Sequence, residues 1–136
     1  MKTIATLTIG VVTSLLLIET SLAGTWIVSS NGKADFNNIQ GAINAASDGD
    51  EILVYPGTYT STGDEVVNTA GKAIWLHSSD GPEVTIISGE NARRCMLISS
   101  GESTSTLIEG FTLTNGNKTA SSGAGLGCYS SSPTIT

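Results

Sequence analysis

The sequence predicts an all-β protein, a single-stranded parallel β-helix (a solenoid) with one short capping helix at its N-terminal end. Three observations predict it. Beyond one helical pattern, every apolar segment is strand-sized and bounded by Gly, Ser, Asn, Asp or Pro. Apolar positions return at a fixed interval: Ile52, Ile74 and Met96 are 22 apart (74 − 52, 96 − 74), Val54, Leu76 and Ile98 repeat the step, and Ile86 and Ile108 form a second series. The single helix is short and apolar on one side, so it needs something to cover. A lone strand cannot bury its apolar face, but strands stacked coil on coil bury it as internal columns.

The segment 1–23 is excluded from the fold. Lys2 supplies a positive start, Ile4–Ile18 an uncharged, largely apolar run, and Ser21-Leu22-Ala23 small residues where a signal peptidase requires them. Glu19 interrupts that run before it reaches the roughly 20 residues of a membrane span. The expectation is a signal peptide over 1–23, cleaved after Ala23. The segment 24–136 then forms the incomplete N-terminal part of one β-helix domain.

In the mature chain, Trp26–Val28 reads as the first strand and Asn31-Gly32 as a turn behind it. Ile39, Ala42, Ile43 and Ala46 fall on one helical face. Asn37 is the expected N-cap with Gln40 as capping-box partner, and Gly49 the stop. Strands are then expected around 52–55, 73–76, 84–87, 96–98, 107–108 and 111–113. The small, polar stretch Thr114–Gly125 reads as a protruding loop, because Leu126–Tyr129 arrives later than a further step of 22 allows. Pro133–Thr136 looks like a strand just beginning, so further coils beyond Thr136 are expected.

The run Asp35–Ala46 followed by Gly49–Tyr59 resembles the capping helix and first coil of the pectin-lyase-like β-helix superfamily. Ile108–Gly116 and Ser130–Thr136 resemble its recurring coil sequences. The likeness is to its uncharacterised bacterial secreted members. It implies a right-handed helix and export to the cell surface, the periplasm or the medium. Activity is not implied, since the fold carries lyases, hydrolases and adhesins alike.

Charge narrows the partners. The net charge is −6, and removing Lys2 and Glu19 with the signal leaves it unchanged. So acidic a chain is a poor partner for nucleic acid. The reading is an exported β-helix whose surface binds something extended, a polysaccharide or a cell-surface component. The alternatives are a polysaccharide lyase or glycoside hydrolase with its catalytic coils beyond residue 136, and a structural adhesin or stalk.

No catalytic constellation is legible. Arg93-Arg94 is the one basic pair and reads as solvent-exposed, so Ala at Arg94 is expected to be nearly silent. Asp80 and Glu102, 22 apart, are the candidate metal pair, and Ca²⁺ is the ion the resemblance implies. His77, the one histidine, is expected outside the coil because it follows inward Leu76. Tyr55 and Trp75 are the candidate sugar contacts, with Tyr59 and Tyr129 of similar character. Asn117-Lys118-Thr119 has the pattern of a glycosylation sequon in a loop. Cys95 and Cys128 are expected to be small apolar residues inside the coil, with a disulfide as the alternative.

Overall fold

The computed structural model describes residues 22–119 and 122–136. The expected signal segment therefore lies outside the described residues apart from Leu22 and Ala23, both exposed. The elements are β1 (Thr25–Val28), α1 (Ile39–Ala45), β2 (Glu51–Val54), β3 (Gly57–Tyr59), β4 (Glu65–Asn68), β5 (Trp75–Ser78), β6 (Thr85–Ser88), β7 (Arg94–Ile98), β8 (Leu107–Glu109), β9 (Thr112–Thr114), β10 (Leu126–Cys128) and β11 (Thr134–Ile135). Strand pairing is parallel throughout. The strands form three sheets, ordered β1-β2-β5-β8-β11, β3-β6-β9 and β4-β7-β10. Each full coil gives one strand to each sheet, so the chain is an all-β parallel β-helix of about four turns. Among the described residues, no helix is long and apolar enough to cross a membrane.

The step of 22 is not the coil step. In register, Ile52 meets Leu76, 24 on (76 − 52), and Leu76 meets Ile108, 32 on (108 − 76). The third sheet steps from Val67 to Met96 to Leu126, by 29 and then 30. Met96 therefore lies in a different sheet from Ile52, and Ile108 in a different sheet from Ile86. Ile86 faces outward, with Ile87 buried beside it. Connections of unequal length at the corners make the true period drift. The inward assignments survive nonetheless: Ile52, Val54, Ile74, Leu76, Met96, Ile98 and Ile108 are all core. β3 and β4 went unread because their apolar content is only Tyr59 and the pair Val66-Val67.

α1 closes the first coil. Its N-cap is Asn38, not Asn37: the Asn38 carboxamide accepts from Gly41 N at 2.7 Å. Gln40 does not complete a capping box. Its amide accepts from Asn68 N (2.7 Å) and donates to Asn68 O (3.1 Å), taking the place of a strand beside β4. Ile39, Ala42 and Ile43 are buried on the core. Lys72 Nζ reaches back to the carbonyls of Ile43, Asn44 and Ala46 at 2.5–3.0 Å, satisfying the orphan acceptors of the last turn.

The connection 115–125 is the long one, against 89–93 and 60–64 in the two coils before it. It brings Leu126 only one position later than the preceding step in that sheet, since the β8–β9 connection is cut to Gly110-Phe111. Gly110 has φ +75, and a Cβ there would lie 2.4 Å from Ser78 Oγ, so the position favours glycine.

Two further expectations are overturned. Arg94 is not solvent-exposed; it is 4% exposed. Its guanidinium donates to Gly123 O (2.8 Å) and Ser122 O (3.0 Å), stands 3.7 Å from Glu65, and lies 5.7 Å from the Tyr129 ring centroid. It holds the base of the long loop by satisfying backbone carbonyls that a turn leaves without strand partners. Arg93 is the more open of the pair, bound to Glu90 and Gly63 O. The cysteines are free, and only Cys95 is inside; Cys128 is exposed although it pairs in register with core Ile98.

Arg94→Ala should therefore destabilise by about 3 kcal/mol, the cost of stranding partners around a lost buried cation. Ile98→Asp, which buries an unpaired charge, should abolish the cooperative transition altogether. Far-UV circular dichroism during heating reads both. An Arg94→Ala protein that melts like the parent would mean that the loop does not depend on this side chain.

Candidate functional site

The outward face of the first sheet carries a connected polar and aromatic network. Inward positions alternate with outward ones along each strand. Register then builds two outward columns, Thr25–Glu51–Trp75–Leu107 and Ile27–Leu53–His77–Glu109. Long side chains join the columns diagonally. Thr25 Oγ1 donates to Glu51 Oε2 (2.6 Å), and Glu51 Oε1 lies 2.7 Å from His77 Nε2. The His77 ring stacks on Trp75, centroids 3.9 Å apart and planes within 11°. Trp75 Nε1 donates to Glu109 Oε2 at 2.5 Å. One chain of contacts thus crosses β1, β2, β5 and β8.

The electrostatics follow from those contacts. The Thr25 hydroxyl, with His77 adding to it, holds the Glu51 carboxyl below its ordinary range against the opposing effect of burial. An ionised carboxylate only accepts, so His77 Nε2 carries the proton between them. Trp75 remains 40% exposed, with one face covered by His77. Beside it opens a cleft of about 570 Å³ lined by Trp75, His77, Ser78, Pro82, Glu109 and Phe111 among others. Its size is that of a small-ligand site.

The sequence candidates fall in several places. Trp75 is outward and at the cleft. Tyr55, also 40% exposed, is not beside it: Trp75 pairs with Glu51, and Tyr55 leaves the far end of β2 into the corner toward β3. Tyr59 is buried, its hydroxyl donating to Tyr55 O at 2.7 Å. Tyr129 is exposed and faces Arg94. His77 is outward as expected, yet it is partnered by Glu51 rather than free. Asn117 is exposed, and its Nδ2, where a glycan would attach, donates to Asn91 O at 2.7 Å.

The metal pair is not brought together. Asp80 is exposed in the corner after β5, where it accepts from Ser79. Glu102, 3% exposed, occupies the corner between β7 and β8. Its oxygens are taken by Thr69 Oγ1 (2.5 Å), Gly71 N (2.8 Å), Ser100 N (2.8 Å) and Ser131 Oγ (2.7 Å). It links three successive corners of the stack. No group of three or more His, Cys, Asp or Glu with metal-binding spacing occurs among the described residues.

Glu51 and Glu109 were not singled out from sequence. The signal for them is the true register, in which steps of 24 and then 32 put Glu51 beside Trp75 and Glu109 beside His77. The chain matches no protein-family model, no curated protein and no solved structure.

Glu102 generates a pH prediction. Burial raises its pKa, but the hydroxyl and amide donors outweigh it and bring the value from 4.5 down to about 2. A depressed carboxyl stabilises the fold above its unfolded pKa and loses that contribution as pH falls through the folded one. The window is therefore about pH 4.5 to 2, with about 3 kcal/mol at stake. Melting curves should fall steeply across it for the parent and less so for Glu102→Gln, which should already be weaker at pH 7. Added Ca²⁺ should shift neither, and a rise with Ca²⁺ lost in Glu102→Gln would restore the metal reading.

Proposed function

We propose that the chain is an exported β-helix protein that binds an extended saccharide across the outward face of its first sheet. The observation that carries the reading is Trp75: a large, half-exposed aromatic, oriented by His77 and Glu109, bordering a cleft of about 570 Å³. A sugar ring offers an apolar face for the indole and hydroxyls for the neighbouring acceptors. The parallel sheet sets Thr25, Glu51, Trp75 and Leu107 in one line along the stack, which suits an extended ligand. The resemblance to pectin-lyase-like secreted proteins supports the same reading, as does the acidic surface, which disfavours nucleic acid.

Export has support of its own. Gly24 is buried, and its nitrogen lies 2.9 Å from Oδ1 of Asp50, itself 1% exposed. Cleavage after Ala23 would convert that amide into an ammonium beside a buried carboxylate, exchanging a neutral donor for a charge-assisted one. Mass spectrometry of the exported protein should find a chain starting at Gly24, and adding back Leu22-Ala23 should lower its melting temperature. A mature start elsewhere would remove this support for the processing site.

For the saccharide, Trp75→Ala should weaken binding to a soluble oligosaccharide by about tenfold, a loss of roughly 1.4 kcal/mol, with the circular dichroism spectrum unchanged. Calorimetry across neutral, basic and acidic oligosaccharides is the check. Parent protein that binds none of them would overturn the reading.

A further inference from the structure

The charge on the Trp75 cleft selects among saccharides. Among the described residues its wall contains one carboxylate side chain, Glu109, and neither lysine nor arginine. His77, the other ionisable side chain that the described residues bring to that wall, is engaged with a second carboxylate, Glu51. Glu109 is exposed and makes no ion pair among the described residues; its Oε2 accepts from Trp75, and its Oε1 meets only Thr136 Oγ1 at 3.4 Å. The indole N–H fixes the carboxylate at the edge of the aromatic ring.

A carboxylate held against an aromatic surface recognises a cation twice over. The ring quadrupole attracts it, and the carboxylate accepts a charge-assisted hydrogen bond from it. A uronic acid would bring its own carboxylate toward Glu109 with Glu51 behind, and no cation in the wall would offset the repulsion. A neutral sugar would gain the stacking and ordinary hydroxyl hydrogen bonds, without the charge-assisted one. Resting on the saccharide reading above, we propose that the cleft takes a saccharide bearing free amino groups, a glucosamine-type oligomer bound as its ammonium, with Trp75 as the platform and Glu109 as the counter-charge.

A protein of net charge −6 attracts cations all over its surface, so the test must separate the cleft from that background. The probes are a glucosamine hexamer, its fully N-acetylated counterpart and a galacturonate hexamer. They are titrated calorimetrically into the whole exported chain at moderate salt. The glucosamine hexamer should bind at least about tenfold tighter than the acetylated one, and the galacturonate should give no binding. Glu109→Gln should bring the glucosamine hexamer down to the acetylated level. Asp64→Asn, which removes an exposed acid at another corner of the coil, should keep the preference. Trp75→Ala should weaken both amino and acetylated hexamers.

Equal losses in Glu109→Gln and Asp64→Asn would assign the effect to global charge and overturn the proposal. Equal binding of the amino and acetylated hexamers, both dependent on Trp75, would overturn it while leaving the saccharide reading standing. The tightest binding by galacturonate would overturn it as well. Failure of every hexamer would remove the saccharide reading and this proposal together. The comparison of amino with acetylated hexamer needs no variant, so a misfolded substitution would not protect the idea.

Discussion

The backbone of each coil is satisfied by the coil above and the coil below, and everything else follows from that constraint. In-register parallel pairing fixes which residue stands over which. Inside, it forces columns such as Trp26–Ile52–Leu76–Ile108 to be apolar, because one polar member would have no water and no partner there. Outside, the same pairing sets Thr25, Glu51, Trp75 and Leu107 in line whether or not they share a purpose. A functional face on this architecture is a by-product of register, and its residues are neighbours in space while lying tens of positions apart in sequence.

Corners pose the opposite problem, because there the chain turns and its N–H groups no longer point along the stack. Buried acids solve it. Asp50 accepts from Gly24 N, Ser47 N and Trp26 Nε1 at the first corner after the helix. Glu102 does the same two coils further on, with two backbone N–H groups and the hydroxyls of Thr69 and Ser131. A carboxylate offers about four acceptor sites, more than any neutral side chain, and that capacity repays its desolvation. The helix end is handled by a cation for the same reason: Lys72 brings three donors to three stranded carbonyls. These charged residues hold the corners of the stack, so their conspicuousness in the sequence says little about catalysis.

The fold was legible because its local signals agree. Short apolar runs, a single amphipathic helix and dense turn chemistry are each read within a short window, and together they admit few architectures. The repeat length was not legible. A coil is three strands and three connections, and each connection varies separately, from the short 110–111 to the long 115–125. The apparent step of 22 joins strands of different sheets, and it found the core only because most apolar β-branched and long side chains point inward wherever they occur. Arg94 shows the limit in a single residue. Next to Arg93 it looks like one more surface charge, and only the loop folded over it, contributed by Ser122 and Gly123, makes it interior.

The candidate site was legible by half for the same reason. Trp75 stands out as an aromatic at an outward position, and alternation from Leu76 suffices to place it and His77 on one face. Glu51 and Glu109 do not stand out, because their relation to Trp75 exists only through register, across steps of 24 and then 32. The two acids differ in consequence. Glu51, held by Thr25 and His77, is spent on the protein itself, fixing the imidazole that in turn supports the indole. Glu109 accepts from that indole and, at 3.4 Å, from Thr136 Oγ1, and it lies exposed in the wall of the cleft. One acid supports the ring and the other lies at its edge, a difference set by two coils of separation along the stack.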